Sequence, residues 1–381
     1  MRQECPDYGL THISSMTDSI ILSNHGLCHS GGIERYLLTL VDSMHSAGMR
    51  PTVVAHKFDK TIEQYQWVNP IHIHTWGLGG AFRDRIFDFS LRRLKAKHGW
   101  YPVIALSQTA AADIAICGGT HPGYLAAVER TETKKDRLAI ELERKHLNNA
   151  SIVIAHSQLM ADQVKQYYGI KPSKIEVLYP PVDTQRFHPV SPEDRHAIRD
   201  KLGLPHDRCI FLLASTGHAR KGLDLLVKAL GHSRLPVLLV VAGRPVDMTA
   251  PNLRYLGYRS DIEDVYRAID CTVMASRYEP FGLVGIETVL CGTPLIGAKG
   301  MGCMEVLSGD AVLPFDLEAP QGSPQELTQV LTRAVKKWQA GQLRVTDPLA
   351  ALSYDPTAQG HVQALLTHVE KLRHTRTKVQ A

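Results

Sequence analysis

Apolar residues in this chain fall into two patterns that alternate along its length: short unbroken runs, and longer stretches at helical spacing. Unbroken runs suit strands buried on both faces, and spaced stretches suit helices packed on them. The alternation therefore predicts a parallel, doubly wound α/β sheet. In the first half the runs are 19–22 (SIIL), 51–55 (PTVVA), 103–106, 115–117 and 152–155. Between them Ile33, Leu37, Leu40, Val41 and Met44 recur at helical spacing, and 138–150 and 160–168 read as further helices. The stretch 178–192 (LYPPVDTQRFHPVSP) is rich in proline and has little periodicity, which predicts a linker between domains. Strand runs then resume at 209–214 (CIFLLA), 237–242 (VLLVVA), 253–259, 271–275 (CTVMA) and 294–296. Helices are expected from Leu223, over 261–269, up to Cys291, over 325–338 and over 357–371, where Val362, Leu365, Leu366, Val369 and Leu372 form one stripe. The basic tail after it is expected to fray. The division that follows is a polar leader (1–18), a Rossmann-like domain (19–180), a linker (181–192), a second Rossmann-like domain (193–355) and a C-terminal helix (356–375) packing back on the first domain.

Composition narrows the class. A chain of 381 residues is too long for one typical core and suits two domains. With 44% hydrophobic and 21% charged residues it is neither disordered nor fibrous. A net charge of +5 permits an anionic ligand or membrane surface but falls short of a nucleic-acid signature. The seven cysteines show no C-x-x-C, which excludes a zinc ribbon and suits reduced thiols, so no metal site is expected. The leader has no long apolar core, and no apolar run approaches the roughly 18 residues of a membrane span. A cytoplasmic protein is expected, with any membrane contact peripheral, on the inner face.

Candidate chemistry gathers at strand ends. Gly31 and Gly32 precede a helix, where free N–H groups and the dipole favour a phosphate; a plain strand-to-helix turn is the competing reading. His121 lies past a strand end between glycines and a proline, in the kind of loop where open α/β sheets place ligands. Arg220 and Lys221 are adjacent cations in a loop leading into a helix, a position electrostatically disfavoured unless an anion joins them. The stretch 277–287 (RYEPFGLVGIE) puts Glu279 in a loop and Glu287 about two turns into the next helix, with Gly282 and Gly285 clearing side chains from the backbone. It reads either as an acidic site for sugar and ribose or as a routine junction. Segment 82–98 carries Arg83, Arg85, Arg92, Arg93, Lys95 and Lys97 against Asp84 and Asp88, interleaved with Phe87, Phe89 and Leu91. It is either a membrane-surface helix or an ordinary surface helix.

These pieces resemble, in order and spacing, the retaining glycosyltransferases of the GT-B fold, family 4 group. The carriers are Arg220-Lys221-Gly222, the Gly257-Tyr258 turn, the motif from Glu279-Pro280-Phe281-Gly282 to Glu287, Gly292-Thr293-Pro294 and the glycine loop ending at Glu305. The N-terminal half matches through Gly31-Gly32 and His121. Residues around Glu129, Arg130 and Glu141 are similar to lipopolysaccharide core glucosyltransferases within that group. The resemblance implies two facing Rossmann-like domains, with the N-terminal one taking a glycan or glycolipid acceptor. The C-terminal one would take a nucleoside-diphosphate sugar, a UDP-sugar, as donor substrate, with no cofactor. It further implies that Glu287 binds ribose, that Glu279 and His121 face the donor hexose and that Arg220 and Lys221 neutralise the diphosphate. Gly31 and Gly32, with backbone amides of Phe281, Gly282, Leu283 and Val284, would add donors, and Tyr258 and Arg259 would flank the nucleobase. Transfer would retain anomeric configuration without a metal, consistent with the lack of an Asp-x-Asp motif. His218 stands after Gly217 where many members have arginine. A sugar-nucleotide epimerase and a non-catalytic nucleotide-binding protein are the alternatives, with no nucleic-acid partner in either case.

Overall fold

In the computed structural model, residues 20–75, 77, 79–231, 235–317 and 324–380 are described, and the expected polar leader lies outside them. The unbroken apolar runs become the buried centres of two parallel sheets. The first contains β1 (Ile21–Ser23), β2 (Thr52–Ala55), β3 (Asn69–His72), β4 (Val103–Ala105), β5 (Ile114–Cys117), β6 (Ile152–Ala155) and β7 (Ile175–Val177), ordered 3-2-1-4-5-6-7. The second contains β8 (Cys209–Ser215), β9 (Val237–Gly243), β10 (Leu253–Gly257), β11 (Cys271–Met274), β12 (Leu295–Ala298) and β13 (Val312–Phe315), ordered 10-9-8-11-12-13. Both therefore reverse direction beside their first strand, at β1/β4 and at β8/β11. Such reversals open a crevice at the carboxyl ends of the strands.

Three of the four edges of these two sheets depart from the sequence reading. β3, β7 and β13 carry no unbroken apolar run, because an edge strand is half exposed. Pro314, which lacks a ladder N–H, sits in the edge strand β13. The helix Pro192–Lys201 was also hidden. Its one buried residue is Arg199, paired at 3.0 Å with buried Asp270.

The chain crosses between the domains twice. Around the second crossing Val182 N–H donates to Pro356 O (2.8 Å) and the Tyr354 hydroxyl to Pro180 O (3.2 Å). The C-terminal helix, Ala358–Gln380, then buries Val362, Leu365, Leu366 and Val369 in the core of the first domain, with Leu37 and Leu40. It continues to Gln380 where fraying was expected, and the Arg376 guanidinium lies 4.7 Å from the centroid of the Tyr101 ring.

Candidate active site

The strand-end loops of both sheets line one cavity of about 820 Å³. On the second domain, β8 runs into a single helical turn, His218–Lys221, so Arg220 and Lys221 stand on a turn of helix and not in the expected loop. Gly222 ends that turn at φ +74°, and a Cβ there would lie 2.2 Å from Ala275 O, so only glycine fits beside β11. The Arg277 N–H donates to Arg220 O (2.9 Å), tying this turn to the loop after β11. Both cations converge on one carboxylate. Lys221 Nζ donates to Glu279 Oε2 at close range, and Arg220 Nη1 lies 3.3 Å from the same oxygen and 2.7 Å from Tyr278 O.

The loop carrying Glu279 is clamped from two sides. Cys303 N–H donates to Phe281 O (2.7 Å) and Gly302 N–H to Glu279 O (3.2 Å), while Ser157 Oγ, from the first domain, donates to Pro280 O (2.6 Å). Gly282 takes φ +98° and the helix begins at Leu283, so Glu287 sits little more than one turn in, not two. Leu283 and Val284 thus hold the free N–H groups of that helix start. Glu287 is buried, accepting from Arg35 Nη1 (2.9 Å) and from the Tyr266 hydroxyl (3.1 Å). Burial pushes its carboxyl above the usual glutamate range, an effect that the Arg35 charge opposes. Tyr258 is 80% exposed at the rim, and Arg259 is paired with Asp261 at 2.5 Å.

The first domain supplies the opposite wall. His121 opens a short helix, His121–Ala127, capped by Thr120 Oγ1, rather than lying in the expected loop. Its Nε2 lies 2.7 Å from Asp136 Oδ1, and its N–H donates to Glu143 Oε2 (2.9 Å). The bidentate Arg130 guanidinium, at 2.7 and 2.9 Å, holds the Asp136 carboxylate well below its usual range. Across the cleft, Thr120 N–H donates to the Tyr278 hydroxyl (2.9 Å). Glu305 bridges the domains too, accepting from Gln158 and Leu159 N–H (2.7 and 2.8 Å) at the start of helix Gln158–Tyr168.

The cavity thus gathers His121, Arg220, Lys221, Glu279, Gly32, Tyr258, Arg259, Phe281, Gly282, Leu283, Val284 and Glu287. Gly31 is not on its wall: it is the N-cap of helix Gly32–Ser46, and the approach to the cavity starts one residue later. Sequence reasoning missed Arg35, Tyr266 and Tyr278. A signal for Arg35 existed, since it is a cation in the first turn of a helix, the same misfit that singled out Arg220. Among the described residues no cluster of three or more His, Cys, Asp or Glu side chains could hold a metal ion.

Residues 30–186 match the family model described as Glycosyltransferase Family 4, and residues 194–340 match that described as Glycosyl transferases group 1. A probable transglycosylase of Burkholderia thailandensis is 42% identical over 351 residues, 91% of this chain and 96% of its own. Among solved structures, WaaG, a glycosyltransferase involved in lipopolysaccharide biosynthesis, is similar with a TM-score of 0.71 at 16% identity, over 84% of this chain and 92% of that one. HepE of Anabaena, in complex with UDP and glucose, gives a TM-score of 0.72 at 19% identity, over 92% and 99%. At such identities these two structures share the fold, the facing-domain GT-B arrangement.

Proposed function

The chain belongs to the GT-B glycosyltransferases of the family 4 group, and from that membership we propose a retaining, metal-independent enzyme that moves a hexose or N-acetylhexosamine from a UDP-sugar to a glycan or lipid-linked acceptor. One observation carries this reading. Two cations meet Glu279 where the second sheet reverses, with Glu287 on the adjoining helix and His121 on the facing wall. A nucleotide sugar needs that set: cations for the diphosphate, a carboxylate for ribose, and polar groups around the reacting carbon.

In this mechanism Arg220 and Lys221 stabilise the charge that grows on the leaving diphosphate, the task a metal ion performs in other transferases. Glu287 binds the ribose hydroxyls, Glu279 and His121 hold the hexose, and the amides at Leu283 and Val284 face phosphate. Tyr258 and Arg259 flank the base. The acceptor oxygen attacks from the face that the nucleoside diphosphate leaves, and a leaving phosphate oxygen takes its proton. HepE was captured with UDP and glucose, which favours a uridine donor, and WaaG acts in lipopolysaccharide biosynthesis, which favours a glycolipid acceptor.

A lipid-linked acceptor calls for work at a membrane surface. No described helix is long and apolar enough to cross a bilayer. Helix Gly80–His98 buries Phe87 and Leu91 but leaves Phe82 and Phe89 72% and 53% exposed, with the Arg92 and Arg93 guanidinium carbons 5.9 and 5.7 Å from the Phe89 ring centroid. Aromatic side chains beside cations suit an anionic lipid surface. Co-sedimentation with phosphatidylglycerol vesicles should weaken with salt; binding indifferent to salt and lipid charge refutes this surface. For the reaction, UDP-glucose and UDP-N-acetylglucosamine are incubated with lipid-linked glycan in EDTA, and the new anomeric proton is read by NMR. An α-linked product from these α-donors is expected. A β-linked product, or donor isomerised without acceptor, overturns the proposal.

A further inference from the structure

The first sheet has its own point of reversal. β1 and β4 pair there in parallel, Ser23 opposite Ala105, and their continuations lead to β2 on one side and β5 on the other. Ligands of open α/β sheets seat in this kind of crevice. Two buried polar side chains stand in it. Asn24, directly after β1, is 0% exposed; its Nδ2 donates to Gly26 O (2.9 Å), while its Oδ1 has no hydrogen-bond partner among the described residues. Ser107, two residues past β4, is 7% exposed and its Oγ is likewise unpartnered. Directly after β6, His156 is 6% exposed and leaves Nε2 unpartnered. All three residues line the cavity shared with Glu279 and Arg220. Polar atoms are rarely buried without a partner, because desolvation is then uncompensated, and three of them on one wall mark a place where something binds.

Resting on the glycosyltransferase reading above, we propose that Asn24 and Ser107 form the acceptor subsite, with His156 extending it, and that this subsite takes an uncharged sugar ring through its hydroxyls. The donor and acceptor balance fits that ligand. An amide oxygen accepts, a serine hydroxyl does both and a neutral imidazole nitrogen does either, and ring hydroxyls both donate and accept. The local charge disfavours a phosphorylated group. Burial pushes His156 down to about 3 and His25, which follows Asn24, down to about 4, so both rings are neutral near pH 7. The nearby cation Arg83 is engaged by Asp84, also on this wall, at 2.9 Å and is not free for a phosphate.

Saturation-transfer NMR on the full chain tests this with methyl glucoside, methyl galactoside and glucose 6-phosphate as probes. A neutral methyl glycoside should receive saturation from wild type, at least fivefold less from Ser107→Ala and Asn24→Ala, and undiminished from Lys221→Ala. Ser107→Ala removes one hydroxyl only, and so decides the matter if Asn24→Ala, which also loses its bond to Gly26, folds poorly. No transfer to any neutral glycoside in wild type, full transfer in Ser107→Ala, loss in Lys221→Ala instead, or stronger transfer to glucose 6-phosphate each overturns the subsite. Thermal stabilisation by UDP judges the donor assignment separately. A wild type that UDP leaves unshifted sinks that assignment, while the glycoside signals still decide the acceptor one.

Discussion

Arg35 and Glu287 are 56% and 4% exposed at their side chains, so this bridge between domains joins a screened charge to a desolvated one. Glu287 holds its proton to higher pH when folded than the ordinary glutamate value of 4.5. Protonation therefore favours the folded state: that contribution is complete below the unfolded value and is lost as pH rises through the folded one. Removing Arg35 takes away a charge that opposes the shift, raising the folded value further. Arg35→Ala should cost about 1–2 kcal/mol at pH 8, since the pair is half screened, and its melting-temperature deficit should shrink toward pH 5. A deficit equal at both pH values would show that the bridge does not govern Glu287. Lys221 poses a different question, because Arg220 remains beside Glu279 when it is removed. On the proposed mechanism Lys221→Met should lower kcat/KM about 10²–10³-fold, near the loss of one transition-state donor, with little change in melting temperature. Near-normal turnover would remove Lys221 from the diphosphate site. Neither Arg35 nor Tyr266 was legible as part of the Glu287 site, because each partner lies in a different element from the motif and the contact exists only once the chain has folded.

Elements were legible largely in proportion to their burial, with the exposed edge strand β10 the exception. The central strands β1, β2, β8, β9 and β11 announce themselves as unbroken apolar runs, whereas β3, β7 and β13 are edges with one exposed side and no such run. Much of the site was legible for a related reason: strand ends are visible, and the loops after β5, β8 and β11 hold most of the polar groups of interest. What the pattern could not convey was backbone conformation, which moved Arg220 and Lys221 onto a helical turn and drew the helix start back to Leu283. Gly282 decides that last geometry. At φ +98° a side chain is strained, and a Cβ would lie 2.9 Å from Glu279 Cγ and 3.1 Å from Met274 Cε. Gly341 is the control, with φ +69° and nothing within 4 Å of an added Cβ. Both alanine variants should lose about 1–2 kcal/mol from the backbone alone. Only Gly282→Ala should also displace Glu279, lowering kcat/KM at least tenfold. Equal activities in steady-state assays of the two variants would mean that the loop does not position the carboxylate.

At the scale of the whole molecule, the last helix ties chain order to cleft geometry. It follows the second domain in sequence yet completes the core of the first, where Leu365 is fully buried beside Leu37 and Leu40 on helix Gly32–Ser46. That helix carries Arg35 to Glu287, and Tyr36 to His361 at 2.6 Å. His361 in turn lies 2.9 Å from Tyr179 O, where the chain first leaves the domain. The stability of the first domain's side of the cleft therefore depends on residues far downstream. Leu365→Ala should cost about 2–5 kcal/mol, the range for emptying a leucine site in a core. The loss should fall on the first domain: amide exchange, read by mass spectrometry, should quicken in 32–46 and 358–372 while β8, β9 and β11 stay protected, since stability is distributed by local packing. If exchange instead quickens chiefly in the second sheet, the helix belongs energetically to the domain that precedes it, and the coupling from His361 through Tyr36 to the cleft fails with it.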